Sequence, residues 1–481
     1  MRGKQCHKSL WLYKHQPELR EISAGQEAIF QAGTDIGLLA QGLFPGGMDA
    51  TEGQDYPNRQ CVARTHELIE QGLEVIYEAT FIFDDVLVAI DILAKEDGVW
   101  NIYEVKSTTK VKDPHISDAA VQKYVAEGCG LTIGEVFIVH LNRDYVRQGE
   151  LDIQELFSKS EITEEIMIVS EEIPQLIEEL KEVQAMESAP EVAIGPHCAT
   201  PYPCDFMAHC WSHVPNYSVF NLTRIAAKAW DLYNQDIIDI KDIPDDYPLS
   251  KAQLNQVKGE KHGRETIDKA KIQNFLDQLN YPLYFLDFET FMSPLPLFDG
   301  TRSYDQSVFQ YSLHIQNEPG GPCEHKEFLA EMDGKDPRRA FAEKMLEDCQ
   351  GKGSIVVYNK TFEIGRIREL ATLFPDLAEA LLALVARIVD LMKPFQEQAY
   401  YKKEMMGSYS IKYVLPALAP ELSYNDLNIA DGGTASNTFF AMFEGRFMGD
   451  YEATTKDLLK YCERDTWAMV VILEKLRSIL G

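Results

Sequence analysis

Hydrophobic and polar positions change period several times along the chain, and each change marks an element. Between Gln26 and Phe44 apolar residues recur at helical spacing around Gly33 and Gly37, which predicts a helix. From Leu73 the period drops to two. LEVIYEATFIF, a turn at Asp84–Asp85, VLVAIDILAK, a second turn and VWNIYEVKST predict three consecutive strands, and SDAAVQKYV returns to helical spacing. Much later PLYFLDFETF reads as a buried strand, SVFQYSLHIQ alternates as a second, and KEFLA supplies a third. A helix is predicted from Pro337 to Cys349. SIVVYNKTFEIGRIREL then predicts a strand over Ile355 to Tyr358, a turn at Asn359 and a helix carrying Glu363. TTKDLLKYCERDTWAMVVILEKL predicts a strongly amphipathic terminal helix. Strands interleaved with helices place the chain in the α/β class.

At 481 residues the chain is long enough for two or three domains. The pattern divides it into residues 1–215, a helical connector at 216–275, and residues 276–481. The connector has the look of a helix–hairpin–helix, but Thr223 and Arg224 stand where that motif needs glycine, so a plain helical linker is expected. Composition is that of an ordinary globular protein, with 45% hydrophobic and 25% charged residues. No apolar run reaches the roughly 18 residues of a membrane span. The charged N-terminus has no secretory signal, so a cytoplasmic protein without membrane partners is expected.

Net charge is −30, which speaks against strong nonspecific binding of duplex nucleic acid. The charge is unevenly spread. Between Glu150 and Glu191 there are 13 acidic residues against Lys159 and Lys181, the composition of a solvated helical face.

Four groups of residues carry candidate chemistry. Asp287 and Glu289 alternate along one strand and so share a face, where two carboxylates repel unless a cation lies between them. Tyr461 and Asp465 are one helical turn apart on the terminal helix. In the first domain Asp91, on the second strand, precedes Glu104 and Lys106 on the third. There two carboxylates and an ammonium can hold a metal and orient a water. Lastly Cys198, Cys204 and Cys210 are evenly spaced in GPHCATPYPCDFMAHCW, and Cys6 is the natural fourth thiolate if the domain's ends meet. An odd cysteine count of nine favours a metal centre or buried thiols over disulfides.

Asp91, Glu104 and Lys106 resemble the PD-(D/E)xK nucleases, and Gln122 on the following helix resembles their RecB-like branch. The resemblance implies a restriction-endonuclease-like fold with Asp91 and Glu104 on a metal and Lys106 and Gln122 in the catalytic set. A histidine usual in that branch is missing between residues 16 and 65, with Glu78 and Glu27 as the conceivable substitutes. The cysteines resemble the same branch, which implies a [4Fe–4S] cluster held by Cys6, Cys198, Cys204 and Cys210. Zinc remains an alternative.

The Asp287/Glu289 strand, the Asn359–Glu363 turn and the Tyr461/Asp465 helix resemble, in that order, the DnaQ-like DEDDy exonucleases of the RNase H-like fold. This resemblance implies a mixed sheet and Mg²⁺ or Mn²⁺ on Asp287, Glu289, Glu363 and Asp465. It also implies Tyr461 as the water-orienting group and 3′–5′ exonuclease activity. Glu363 stands where aspartate is usual. Residues 408–418 fit a helix lining the substrate groove, and Asp390 is a further acid whose alternative role is capping. The implied partner is nucleic acid, DNA ahead of RNA, entered as a single strand or 3′ end. The contrasting expectation is a catalytically inactive nucleic-acid-binding scaffold in a repair or defence complex.

Overall fold

The computed structural model describes residues 1–54 and 56–480. The chain is mixed α/β and forms two compact units, Met1–Ser212 with Ser293–Asp305, and His213–Met292 with Gln306–Gly481.

The first unit is built on a six-stranded sheet in simple sequence order: β1 (Met48–Asp49), β2 (Val75–Phe83), β3 (Val86–Glu96), β4 (Val99–Lys106), β5 (Ile133–Leu141) and β6 (Phe157–Glu161). β1–β2 and β4–β5 pair parallel and the other neighbours antiparallel. The tight β2–β3 turn places both Asp84 and Asp85 at positive φ, the conformation that a two-residue hairpin asks for. A parallel β4–β5 pair needs a crossover, and the helix Asp113–Gly128 supplies it. That helix buries Ala119, Ala120, Val125 and Ala126 against Ile90, Ile102 and Ile138 of the sheet. Asp91 sits mid-way along β3, five residues from its end.

The second unit holds a five-stranded mixed sheet. In chain order the strands of this unit are β7 (Thr266–Ile267), β8 (Leu283–Met292), β9 (Gln306–Gln316), β10 (Cys323–Leu329), β11 (Ile355–Val357), β12 (Ile388–Asp390) and β13 (Tyr400–Tyr401). The large sheet runs β10-β9-β8-β11-β12, with the first two pairings antiparallel and the last two parallel, while β7 and β13 pair apart from it. β9 explains how the unit is layered. Its odd positions Phe309, Tyr311, Leu313 and Ile315 are buried, and the last three join the apolar core with Phe341 and Met345. Its even positions Gln310, Ser312, His314 and Gln316 are also buried, and they bond to Leu458, Thr466, Thr466 and Glu474 of the long helix Tyr451–Ser478. A buried polar group must find a partner, so this stripe seats the helix in one register.

Two boundaries differ from the sequence reading. Residues 216–275 are not a free linker but part of the second unit, with an apolar cluster of their own around Val219, Leu222, Leu232 and Ile240. The segment is tied down by Tyr217 to Tyr401 (3.1 Å), by Thr223 donating to the Gly407 carbonyl (2.8 Å), and by the β7–β13 pair. Residues 293–305 belong to the first unit. Backbone bonds join Arg147 to Thr301 (3.0 Å) and Gly300 (2.9 Å), and Leu295 packs on the core around Tyr103 and Val139. Both assignments depend on long-range pairs that periodicity does not register.

Candidate active sites and cysteine centre

In the second unit, β8 carries Asp287 and Glu289 on the polar face of the sheet, opposite Ser312 and Gln310 of β9. The strand does not end there. It runs on to Met292 after a register slip between Glu289 and Thr290, which lets the two acids stay paired to one face while the chain bends away. The terminal helix crosses that face, and Cys462 Sγ donates to the Asp287 carbonyl at 3.8 Å. One turn of this helix therefore presents Tyr461 and Asp465 to the strand. Carboxylate oxygens of Asp287, Glu289 and Asp465 lie within 4.8 Å of one another.

Three carboxylates this close, two of them buried and Asp287 half-buried, cannot all be charged without a cation. Burial, followed by Asp465, Glu289 and Glu363, holds Asp287 well above the usual carboxylate range. Glu289 is pushed up to about 8 by burial and then by Asp465, against the pull of Lys412. Burial takes Asp465 to about 6, although the Tyr424 and Tyr461 hydroxyls and Lys412 work the other way.

Glu363 belongs to the neighbourhood but not to the triangle. It lies in the first turn of the helix Lys360–Leu373, which follows Asn359 in a left-handed conformation, and burial raises it to about 8, with Asp390 adding to the effect. Its Oε2 is buried with no hydrogen-bond partner among the described residues, a cost that a cation would relieve. Asp390 ends β12 and takes the capping role, its Oδ1 accepting from the backbone N–H groups of Asn359 and Met392, both at 3.1 Å.

Three contributors escaped the sequence reading. Tyr424 donates to Asp465 Oδ1 at 2.6 Å from a loop with no motif to mark it. Lys412 lies on the helix Ile411–Leu418, which the sequence did single out. Its Nζ donates to the Ala430 carbonyl (2.9 Å) and stands 5.5 Å from the Tyr461 ring centre. Gly432 opens the helix Gly432–Phe443 so close to the acids that a Cβ there would meet Glu289 Oε2 at 3.4 Å.

The first unit assembles a second acidic site. Asp91 and Glu104 face each other across the β3–β4 pair, with Asp91 Oδ2 accepting from the Val105 backbone N–H at 2.6 Å. Lys106 Nζ donates to Glu104 (2.5 Å) and to Asp118 (2.8 Å), and Gln122 Nε2 donates to Glu104 (2.8 Å). All four residues singled out from sequence thus come together, joined by Asp118. Burial and then Asp91 push Glu104 up to about 8, while burial and then Glu78 push Asp91 up to about 6. Burial opposes the charge on Lys106, but Glu104, Asp118 and Asp91 outweigh it and raise the ammonium above its ordinary value. Glu78 stands beside this acidic group. It is at positive φ, interrupts the β2–β3 ladder opposite Asp91, and is raised to about 7 by burial and then by Asp49 and Glu104. Glu27 is exposed on the helix Ala24–Ala40.

The two ends of the first unit do meet. Asp205 accepts from Arg2 (2.5 and 3.0 Å) and Arg20 (2.6 Å), and Gln5 donates to the carbonyls of His197 (2.8 Å) and Tyr202 (2.7 Å). Cys6, Cys198, Cys204 and Cys210 line one small cavity with His197 and Ser9, and all four are free thiols. Four cysteines around one cavity are a donor set that suits a cluster or a zinc ion, and the donor set alone does not choose between them.

No helix in the described residues is long and apolar enough to cross a membrane. A profile described as a domain of unknown function, DUF2779, matches residues 284–410, from β8 to the edge of the Lys412 helix. An uncharacterized protein of Mycoplasma genitalium, designated MG366, is 25% identical over 227 residues, 44% of this chain and 34% of its own length. Its Mycoplasma pneumoniae homologue is 26% identical over 42% of this chain and 33% of its own length. An uncharacterized Ureaplasma parvum protein, UU173, is 27% identical over 46% and 34% respectively. The chain therefore spans about a third of the length of these relatives.

Proposed function

We propose that the protein is a metal-dependent phosphodiester hydrolase whose second unit is a DnaQ-like 3′–5′ exonuclease of the RNase H-like fold. In the same reading the first unit is a RecB-like PD-(D/E)xK nuclease domain with a cysteine metal centre. The observation that carries this is the triangle of Asp287, Glu289 and Asp465 oxygens within 4.8 Å, beside Tyr461 and on a sheet of mixed direction. Asp287, Glu289 and Asp465 would hold Mg²⁺ or Mn²⁺, with Glu363 completing the set through its unpartnered oxygen. Such ions supply charge neutralisation at the scissile phosphate and a more acidic water.

The protein's own groups do the rest. Tyr461 orients the attacking water, Tyr424 fixes the Asp465 carboxylate, and Lys412 sets a cation beside the acids. The opening at Gly432 lets a nucleic-acid backbone approach closely. In the first unit Asp91 and Glu104 are the metal-binding pair. Lys106 is the charge-stabilising group there, and Gln122 and Asp118 hold Glu104 and Lys106 in place. A cytoplasmic location and single-stranded DNA or a 3′ end as substrate belong to the same proposal.

The test is release of mononucleotides from 3′- and 5′-labelled single strands with Mg²⁺ or Mn²⁺. Asp287→Ala is expected to abolish 3′ release, with Lys106→Ala isolating the first unit's share. Equal activity in the wild type and both variants would eliminate the hydrolase. Metal-independent binding without cleavage would favour the second reading, a nucleic-acid-binding scaffold. That reading is supported by Glu363 lying outside the carboxylate triangle.

A further inference from the structure

Beyond the acidic sites, the far end of the same polar stripe gathers a different set of donors. His314 of β9 and His325 of β10 are directly opposed across the antiparallel pair, their ring centres 4.6 Å apart. Glu463 reaches them from the terminal helix, and one ligand atom from each of the three lies within 4.8 Å of the others.

A hydrogen-bond chain holds both rings in place. Thr466 Oγ1 lies 2.8 Å from His314 Nδ1, 2.7 Å from Ser312 Oγ and 3.1 Å from the Glu463 carbonyl, and Ser312 Oγ lies 2.9 Å from His325 Nε2. One nitrogen of each ring is thus engaged by a hydroxyl, and the other, Nε2 of His314 and Nδ1 of His325, is the one left to meet an ion. Imidazole ligands of metals are held in this way, with the non-ligating N–H engaged by a neighbour that sets tautomer and ring angle.

We infer that His314, His325 and Glu463 form a second cation site, for a zinc-class ion, that ties the β9–β10 pair to the helix bearing Tyr461 and Asp465. Two imidazoles and one carboxylate suit Zn²⁺, and a water completes a tetrahedron. Nitrogen donors disfavour Mg²⁺, so the site and the acid triangle draw on different ions. Burial, with His325 adding to it, lowers His314 to about 4, so the ring is neutral and ready to bind near pH 7. His325 and Glu463 are more exposed than His314, which gives an ion a way in.

The site is read by zinc titration of the full chain against a chromogenic chelator. Wild type is compared with His325→Ala and Glu463→Gln, so that zinc held by other carboxylates or by cysteines is the same in all three proteins and cancels. Each variant is expected to lose one zinc equivalent, or to bind it at least tenfold more weakly, and to lose the matching zinc-dependent rise in melting temperature. Mn²⁺ uptake at the acid triangle should be unchanged. Co²⁺ added to wild type should give visible bands of nitrogen–oxygen coordination that both variants lack. Glu463 is exposed, so Glu463→Gln keeps the fold and guards against a false negative from His325→Ala. Equal zinc stoichiometry and equal Co²⁺ spectra in all three proteins would overturn the site. The readout needs no nuclease activity, so it stands or falls separately from the proposed hydrolase.

Discussion

The Tyr424 hydroxyl donates a 2.6 Å hydrogen bond to Oδ1 of Asp465, across 41 positions of sequence, inside the same buried cup that holds Asp287 and Glu289. A donor aimed at a buried carboxylate stabilises its charged form, and Asp465 is accordingly pushed up less far than Glu289.

Tyr424→Phe should therefore raise the proton affinity of Asp465 and weaken divalent-ion binding. Loss of a partner that orients a metal-binding group typically costs about 10–100-fold in affinity. The fold itself should lose about 1–2 kcal/mol. Mn²⁺ titration by electron paramagnetic resonance, together with urea denaturation, measures both. Unchanged Mn²⁺ affinity would show that the bond does not serve the cup.

Stability of the metal-free chain should fall as pH rises from about 4.5 to about 8. Glu289 and Glu363 are raised from 4.5 to about 8. The folded protein thus keeps protons that the unfolded chain has already shed. The stabilisation is complete below 4.5 and disappears as pH climbs through about 8. Glu104, also raised to about 8, adds to the same slope. Saturating Mg²⁺ should flatten the profile, since the ion replaces the protons. Thermal melts in chelator and in Mg²⁺ across this range make the comparison, and identical slopes would contradict it.

Asp205→Asn should release the N-terminal segment, because Arg2 and Arg20 both converge on that carboxylate and together hold it below its ordinary range despite burial. The guanidiniums keep some solvent contact, so the expected cost is about 2–3 kcal/mol. Trypsin should then cut at Arg20 faster than in the wild type, and the metal or iron content of the cysteine centre should fall with it. Asp205 contributes its stabilisation above pH 3.8 and loses it as pH drops further, opposite in sense to the raised acids.

Gly353→Ala tests how β11 is seated beside β8. A Cβ at this position would stand 1.7 Å from the Pro282 carbonyl oxygen, where only hydrogen fits. The neighbouring bonds Ser354 N–H to Asn280 (2.8 Å) and Tyr284 N–H to Ser354 (2.9 Å) pin both backbones, so the clash cannot relax cheaply. Destabilisation of about 2–3 kcal/mol is expected by urea unfolding. A neutral substitution would mean that the strand ends are free to separate.

What the sequence determined by itself was the set of elements and the faces of each. Alternation in SVFQYSLHIQ, the i, i+2 spacing of Asp287 and Glu289, and the turn-length spacing of Tyr461 and Asp465 are local properties, fixed by the pleat of a strand and the pitch of a helix. The convergence of Asp91, Glu104, Lys106 and Gln122 was legible for the same reason, since a hairpin and its crossover helix bring near neighbours together. Tertiary structure alone decided the rest. Tyr424 reaches Asp465 from a loop without period, and Glu78 reaches Asp91 through a left-handed kink. The two histidines meet only because β9 and β10 share a register. Residues 216–275 and 293–305 joined the units they did through pairings over long stretches of chain. Such contacts depend on which surfaces meet once apolar faces are buried, and that energy belongs to the packed fold and not to any window of residues.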